Sequence, residues 1–267
     1  MFETEGMPGP TPVVVWIHGG ALINGSRHGG AAVKYVDAGY RAISIDYRLA
    51  PETKLPDIIA DVRDALSWIR RNAEPLQTDA NRIGVVGHSA GGYLTLMTGT
   101  FDVQPQAVVS YYGYGDLVGD WYAKPNPYYL QQPLVTEKTA REQLESKQIS
   151  QGRRHGKFYL YTRQQGTWPQ EVAGVDPAVA PDFFTPYCPD QNVDETYPPT
   201  LLLHGTDDTD VPYELSVRMR DRLASTRVEH ELITIEGGGH GFDWQWWSTE
   251  VKDAQERVIQ FLDQHLK

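Results

Sequence analysis

The sequence predicts an α/β fold in which a doubly wound, mostly parallel sheet carries helices on both faces. Short apolar runs that suit buried strands alternate along the chain with segments whose apolar residues recur at helical spacing, and this alternation is typical of parallel sheets. The chain has 267 residues, of which 40% are hydrophobic, and this is enough for one sizeable core. We therefore expect residues 1–267 to form a single domain.

Six segments are predicted to be strands, and the first of them is a continuous apolar run that ends at the flexible turn 18–20, as expected of a parallel strand buried on both faces. They are residues 13–17, 40–47, 82–86, 107–111, 200–204 and 229–235. Two long helices are predicted at 57–73 and 249–266, where apolar residues form a stripe along one face. Pro56 lies just before the first of these helices and suits its first turn.

The stretch 113–199 interrupts this alternation. It contains no convincing strand, more than half of the chain's 18 prolines and many of its aromatic residues. Short helices are predicted at 139–147, where Thr139 and Glu142 have capping-box spacing, and around 157–165. Long connections without sheet structure usually serve a function, so we expect residues 113–199 to be an inserted cap over a site. A packing or dimerisation appendage is the alternative.

Charge and cysteine content exclude several classes of protein. The formal net charge is −11, whereas nucleic-acid binding depends on clustered Lys and Arg, so no nucleic-acid partner is expected. Cys188 is the only cysteine, which rules out an intramolecular disulfide and favours a packing role. No segment has the roughly 18 consecutive apolar residues of a membrane helix. Residues 1–12 lack the pattern of a signal peptide, so a cytoplasmic location is expected.

The most specific signal for chemistry is the pentapeptide Gly-His-Ser-Ala-Gly at 87–91. It follows the predicted strand 82–86 and opens into a helical segment, which gives the order strand, sharp turn, helix. A serine at such a turn projects its hydroxyl from the sheet edge, and glycines are required where a Cβ would collide with neighbouring backbone. The pattern predicts that Ser89 is a nucleophile, and a chance match in a surface turn is the alternative.

A serine hydroxyl needs an imidazole to take its proton and a carboxylate to orient that imidazole. Asp208 lies in a turn after the predicted strand 200–204, and we expect it to be the carboxylate. Asp207 and Asp210 lie in the same turn and remain alternatives; otherwise they are expected to be solvated or to cap the next helix. His240 follows the last predicted strand in a glycine-rich loop and is expected to be the base.

The remaining candidate groups belong to the backbone and to other histidines. The N–H of Ala90 and the loop 18–21 after the first strand are expected to stabilise an oxyanion, each donor contributing on the order of 3 kcal/mol; a plain loop is the alternative. Four histidines are interpreted as surface or loop residues, and no spacing suggests a metal site. These are His28, His155, His230 and His265.

With these residues in place, the chain resembles the α/β-hydrolase superfamily, and within it the hormone-sensitive-lipase-like esterases and small carboxylesterases. Residues 46–52 read Asp-Tyr-Arg-Leu-Ala-Pro-Glu, as in that family, and the following helix carries family-like residues at 61, 62 and 68. The resemblance implies the α/β-hydrolase fold, and it implies that Asp46 and Arg48 brace the oxyanion loop. It also implies the site: Ser89 as nucleophile, Asp208 as acid, His240 as base, and Gly20, Ala21 and Ala90 as N–H donors to the oxyanion.

Three features depart from the family pattern. Ala21 stands where the family usually has glycine, and it can still donate its N–H provided that its φ stays negative. Few residues precede the first buried strand, so we expect a shortened N-terminus and an open sheet edge. Such an edge invites pairing with another chain, for example in a homo-oligomer, and a less stable protein is the alternative. The Pro-rich and aromatic cap is unusual for the family, so no substrate preference is carried over.

We therefore expect a serine carboxylic-ester hydrolase that works through an acyl-enzyme and requires no cofactor. Aromatic residues of the cap, together with Trp244, Trp246 and Trp247, are expected to build a pocket for small or aromatic esters; core packing is the alternative for these residues. Two other functions stay open. One is an amide hydrolase or peptidase, arylformamidase-like, with the same triad, and the other is a ligand-binding protein that retains the fold without catalysis.

Overall fold

The computed structural model describes residues 1–3, 7, 9–29, 32–142, 144 and 156–267. Within these residues the chain forms one six-stranded sheet of order β2-β1-β3-β4-β5-β6, in which every neighbouring pair is parallel. The strands are β1 (Thr11–Ile17), β2 (Arg41–Ile45), β3 (Thr78–His88), β4 (Ala107–Tyr111), β5 (Thr200–Gly205) and β6 (His230–Ile235). The predicted α/β class and parallel sheet are confirmed.

Ten α-helices lie in the described residues. They are α1 (Val33–Asp37), α2 (Leu55–Arg71), α3 (Ala90–Thr98), α4 (Asp120–Ala123), α5 (Glu137–Arg141), α6 (Gly156–Gln165), α7 (Trp168–Ala173), α8 (Pro189–Asn192), α9 (Glu214–Ser225) and α10 (Thr249–Leu266). Short 3₁₀ helices occupy Arg27–Gly29, Tyr129–Gln131, Pro181–Tyr187 and Phe242–Trp244.

Helices cover both faces of the sheet, which explains why β1 and the other central strands are largely apolar where they pair. Val13, Val15 and Ile17 of β1 pack into one core with residues of α2, α3 and α9. Val14 and Trp16 point to the opposite face and pack with residues of α1 and α10. Because successive side chains of a strand alternate between faces, a strand that is covered on both sides buries both sets of side chains, and apolar residues are favoured at every position.

Between β4 and β5, the described part of residues 113–199, here called the insertion, contains helices and no strand. The helix predicted around 157–165 corresponds to α6. The helix predicted at 139–147 begins earlier than expected, because the Thr136 hydroxyl accepts a hydrogen bond from the N–H of Thr139 at 3.2 Å. Thr136, and not Thr139, is therefore the N-cap. Residues 143 and 145–147 of that prediction lie outside the described residues.

The edge strand β2 is less open than the sequence suggested. Phe2 and Ala42 form an antiparallel bridge, with N–H to carbonyl distances of 2.8 and 3.1 Å. Arg41 is buried beside this bridge, where its guanidinium donates to Gln77 and Thr11 and pairs with Glu3 at 2.8 Å. These contacts block part of the strand edge against pairing with another chain.

None of the helices in the described ranges combines the length and the apolar character that crossing a bilayer requires.

Candidate active site

Ser89 lies in the sharp turn between β3 and α3. Its backbone has φ 56° and ψ −121°, a conformation that is rare for a residue with a side chain and that costs on the order of 1–3 kcal/mol. The turn is tight enough to exclude side chains on either side of it. A Cβ on Gly87 would collide with the carbonyl oxygen of Gly91, and a Cβ on Gly91 would collide with that of Ile17. The predicted requirement for both glycines is therefore met.

The structure brings together the three side chains that the sequence proposed, although they are far apart in the chain. Nε2 of His240 lies 3.0 Å from Oγ of Ser89. Nδ1 of the same ring lies 2.7 Å from Oδ2 of Asp208. The three residues follow β3, β5 and β6, so parallel strands deliver them to one edge of the sheet.

Asp208 is held as an ionised carboxylate. Its side chain is fully buried, and Oδ1 accepts hydrogen bonds from the N–H groups of Asp210 at 2.8 Å and Val211 at 2.9 Å. Burial alone would raise the pKa of Asp208, but the contacts with His204 and His240 and the N–H donors outweigh it and hold this pKa well below its usual range. The carboxylate is thus charged at neutral pH.

The same contacts act in the opposite direction on His240. Burial alone would lower the pKa of His240, but its hydrogen bond to Asp208 and the negative charges of Asp210 and Asp208 raise it above the ordinary value of histidine. His240 is therefore a stronger proton acceptor than a free imidazole, and its protonated form is stabilised by the neighbouring carboxylates.

The other two carboxylates of the turn differ in environment. Asp207 is exposed, as expected of a solvated residue. Asp210 was expected to be solvated or to cap a helix, and this expectation is wrong. Its Oδ1 accepts hydrogen bonds from Arg163 at 2.6 Å and from the Tyr159 hydroxyl at 2.5 Å. Both donors belong to α6 of the insertion, and the Arg163 side chain is fully buried.

The loop 18–21 runs directly over Ser89. A Cβ on Gly19 would collide with the carbonyl oxygen of His88 and would lie 3.2 Å from Cβ of Ser89, so only glycine permits this approach. Gly20 has φ +112°, and its carbonyl accepts hydrogen bonds from Ile23 and Asn24 at 2.9 and 2.8 Å.

Ala21 does not meet the condition set from the sequence. Its φ is +55°, because the tight turn continues through it, and the left-handed conformation costs an alanine roughly 1–2 kcal/mol. Its carbonyl accepts a hydrogen bond from Nε1 of Trp168 in α7 at 2.9 Å. The insertion thus supports the loop in a conformation that alanine would otherwise avoid.

The segment 46–48 contacts the loop 18–21, as expected, but the contact is not made by Asp46 or Arg48. Asp46 accepts two hydrogen bonds from Arg27, and Arg48 pairs with Asp61 of α2 at 2.8 Å. It is Tyr47 that reaches the loop itself.

The hydroxyl of Tyr47 donates to the carbonyl of His18 at 3.0 Å, and its ring stacks on the His18 ring with centroids 4.2 Å apart. Burial lowers the pKa of His18 to about 4, so this ring is neutral and acts as a packing element of the loop.

Next to Ser89, a chain of hydrogen bonds centred on His88 and Asp243 was also missed by the sequence analysis. Nε1 of Trp16 donates to Nδ1 of His88 at 3.0 Å, and Nε2 of His88 lies 3.2 Å from Oδ2 of Asp243. The Tyr112 hydroxyl donates to Oδ1 of Asp243 at 2.5 Å, and the Tyr112 ring meets the His240 ring edge-on at 4.6 Å. The position of Asp243, three residues after the base, was the only signal in the sequence.

These groups open into a cavity of about 670 Å³, which is within the range of small-molecule sites. Its lining includes Ser89, His240, Gly20, Ala21, Tyr112, Tyr159, Asp210 and Trp244. From the described part of the insertion, Tyr159 alone lines the cavity. The expected aromatic pocket is thus only partly present.

The remaining aromatic residues have other roles. Tyr122 stacks on Trp121 and Trp168 with centroid distances of 3.7 and 3.9 Å, inside the core of the insertion. Trp246 and Trp247 lie outside the cavity lining and are 73% and 64% exposed. For these residues the prediction of a pocket role is wrong. Three of them pack against one another inside the insertion, and the two exposed tryptophans lie outside the cavity lining.

The other titratable groups singled out from the sequence differ in their distance from this site. His28 is exposed at the cavity wall, and His230 and His265 are partly buried; His155 lies outside the described residues. Burial raises the pKa of Cys188 to about 12, as suits a packing residue. Across the described ranges, no group of three or more His, Cys, Asp or Glu side chains is arranged to hold a metal ion.

The fold and the strand-end site define an α/β-hydrolase. The BD-FAE family model matches residues 1–223, and the chain belongs to that family. Its predicted place in the α/β-hydrolase superfamily is confirmed.

Individual relatives agree with this assignment. Esterase LipC of Mycobacterium tuberculosis (strain ATCC 25618 / H37Rv) is 31% identical over 238 residues, which cover 88% of this chain and 54% of LipC. The chain spans about half or less of the length of the curated relatives that it matches.

Two solved structures share the fold over almost the whole chain. A protein of unknown function from Staphylococcus aureus subsp. aureus Mu50 has a TM-score of 0.79 and 25% identity, covering 100% of this chain and 93% of the other. An acetyl ester-xyloside bifunctional hydrolase from Caldicellulosiruptor lactoaceticus has a TM-score of 0.72 and 21% identity, covering 99% and 85%.

Proposed function

We propose that the protein is a serine carboxylic-ester hydrolase that acts through an acyl-enzyme on small esters. The observation that carries this proposal is the unbroken chain from Ser89 Oγ to His240 Nε2 at 3.0 Å and from His240 Nδ1 to Asp208 Oδ2 at 2.7 Å. A relative of this chain is named an esterase, and a protein of the same fold is described as an acetyl ester-xyloside hydrolase. Both names support ester hydrolysis.

In the first half of the proposed reaction, Oγ of Ser89 attacks the carbonyl carbon of the ester. Its proton passes to Nε2 of His240, and the charge of Asp208 stabilises the imidazolium that forms. The carbonyl oxygen becomes an oxyanion, which the N–H groups of Gly20 and Ala90 are proposed to stabilise, whereas Ala21 fails the φ condition on which its own N–H was expected to donate. When the intermediate collapses, the C–O bond to the alcohol breaks and the alcohol leaves with the proton from Nε2.

The second half repeats these steps with water. Nε2 of His240 removes a proton from a water molecule, which attacks the acyl-enzyme and releases the carboxylic acid, and Ser89 regains its proton. The insertion, residues 113–199, is proposed to act as a cap that holds one wall of the cavity through Tyr159 and supports the oxyanion loop through Trp168.

The test is hydrolysis of a panel of p-nitrophenyl esters of increasing acyl length, together with labelling by a fluorophosphonate. We expect hydrolysis of short esters, label on Ser89, and a loss of roughly 10⁴-fold or more in kcat for Ser89→Ala. The folded state of the variant is checked by circular dichroism. Label at another residue, or hydrolysis that survives Ser89→Ala, would overturn the proposal, and faster turnover of matched amides would favour an amidase.

A further inference from the structure

A second carboxylate faces the cavity beside the proposed base. Oδ2 of Asp210 lies 3.6 Å from Nε2 of His240, the same nitrogen that lies 3.0 Å from Oγ of Ser89. In the proposed reaction this nitrogen gives its proton to the leaving alcohol. Asp210 therefore lies where the alcohol part of the ester must be, yet none of the proton transfers needs it.

Contacts with the insertion fix one oxygen of this carboxylate and leave the other toward the site. The hydrogen bonds from Tyr159 and Arg163 to the side chain both end on Oδ1, and the side chain of Tyr129 also interacts with this carboxylate. Arg163 also donates to the main-chain carbonyl of Asp210 at 3.1 Å, so the residue is held at two points and its side chain cannot turn away cheaply. The side chain retains 18% exposure. Oδ2 is thus an acceptor presented by a rigid cavity wall.

The charge of Asp210 is balanced before any ligand binds. The Arg163 guanidinium is fully buried, lies 2.6 Å from Oδ1, and has the rings of Tyr122 and Tyr129 at 4.6 and 4.8 Å. A bound cation would add a further charge to a pair that is already neutral. A neutral hydroxyl, in contrast, needs only a lone pair, and hydrogen bonds to a charged acceptor are the stronger kind. The arrangement favours a hydroxyl donor.

The spacing of the two acceptor positions identifies where that hydroxyl belongs on the substrate. The leaving oxygen must lie within hydrogen-bond distance of Nε2 of His240. In a vicinal diol the neighbouring hydroxyl oxygen lies about one hydrogen-bond length from it when the two are gauche. Because Nε2 and Oδ2 are themselves 3.6 Å apart, each oxygen of the diol can meet its own partner at the same time.

We propose that Oδ2 of Asp210 accepts a hydrogen bond from the hydroxyl next to the esterified oxygen, so that monoesters of vicinal diols are the preferred substrates. This inference rests on the proposed esterase function and names the alcohol that it accepts. Asp210 is a specificity-determining residue here: the hydroxyl donates, the carboxylate accepts, and no covalent bond at Asp210 changes.

The test compares 2-hydroxyethyl acetate with propyl acetate, which differ only by a hydroxyl in place of a methyl group. We expect the wild-type protein to prefer the hydroxyethyl ester in kcat/KM by at least about tenfold, the usual effect of one hydrogen bond to a charged group. In Asp210→Asn, Arg163 and Tyr159 retain the amide oxygen at the Oδ1 position, so an NH₂ donor replaces the acceptor. The preference should then fall severalfold, because the neutral amide can only donate to the hydroxyl oxygen and offers no charged acceptor.

The ratio of the two esters isolates this effect, because both depend on the same proton transfer at His240. Asp207→Asn, the same change at an exposed neighbour, is the matched control and should keep the wild-type ratio. A ratio near one in the wild type, or an unchanged ratio in Asp210→Asn, would overturn the inference. Faster hydrolysis of acetylcholine than of 2-hydroxyethyl acetate would show that Asp210 recognises a cation and not a hydroxyl group, which would also overturn the inference.

These outcomes are separate from failure of the proposed function. If Ser89→Ala still hydrolyses the esters, or a fluorophosphonate labels no residue, the esterase proposal fails and the Asp210 inference fails with it. If Ser89 is required but the two acetates react equally, only the inference about Asp210 fails.

Discussion

Nδ1 of His240 lies 2.7 Å from Oδ2 of Asp208, a carboxylate whose side chain has no solvent exposure. Since Asp208 also accepts two main-chain hydrogen bonds, the imidazole meets a fixed acceptor on its Nδ1 side. This contact leaves Nε2 unprotonated in the neutral ring and directed at Ser89, which is the tautomer that the proposed mechanism needs.

Asp208→Asn should abolish most activity while leaving the site assembled. The amide has the same shape but can donate to Nδ1, which favours the wrong tautomer of His240, so kcat should fall by roughly 10⁴-fold. The measurement is kcat on a short p-nitrophenyl ester, with Asp207→Asn as the control that keeps wild-type turnover. A loss smaller than about tenfold in Asp208→Asn would assign the acid to another residue.

The pH profile should report the raised pKa of His240. The base must be neutral to accept a proton, so kcat/KM should rise with pH and level off only above the pKa of His240, which lies above the ordinary histidine value. Asp210→Asn removes one of the charges that raise this pKa, so its acidic limb should move to lower pH. An identical limb in the variant would show that Asp210 exerts no charge effect on the base.

Gly91→Ala should destabilise the fold, because the new Cβ collides with the carbonyl of Ile17 and backbone atoms cannot move aside cheaply. We expect a loss of about 3 kcal/mol or more in the free energy of unfolding, measured by urea titration. Gly156→Ala is the matched control: among the described residues, and apart from its chain neighbours and its own helix backbone, no atom lies within 4 Å of its Cβ position, so stability should change by less than about 1 kcal/mol. Equal effects at the two positions would contradict the collision.

Arg163→Met should loosen the insertion by leaving the Asp210 carboxylate without its buried cation. Breaking one side of such a pair costs about 3–5 kcal/mol, and Tyr159 would lose its fixed place in the cavity wall. Lys138→Met, at an 87% exposed side chain, should be nearly neutral. Urea unfolding compares the two variants, and limited proteolysis locates any loosening; wild-type resistance in Arg163→Met would argue against this role.

The sequence was sufficient wherever structure follows from local pattern. All six strands were located from the sequence: continuous apolar runs marked the central ones, whereas 40–47 and 229–235 also carry polar side chains. Ser89, Asp208 and His240 could each be found because each directly follows such a strand, and parallel strands end at the same edge of the sheet.

What the sequence could not provide are pairings between distant segments. Arg163 and Asp210 are 47 positions apart, and nothing local to α6 marks that arginine as buried. The same holds for His88 and Asp243, which meet only after β3 and the last loop are in place. The positive φ of Ala21 also depends on a remote contact, the hydrogen bond from Trp168.

The hydrogen bond from the Trp168 indole to the Ala21 carbonyl ties the insertion to the loop that is proposed to stabilise the oxyanion, so a change in the insertion should affect turnover as well as the choice of ester. Residues 113–199 could be exchanged for those of a relative in order to alter which esters bind. The exchange would also remove the hydrogen bond from Trp168 that supports the loop 18–21. A chimera that retains an indole at the equivalent point should stay fast, whereas one without it should recognise its new ester yet turn it over slowly.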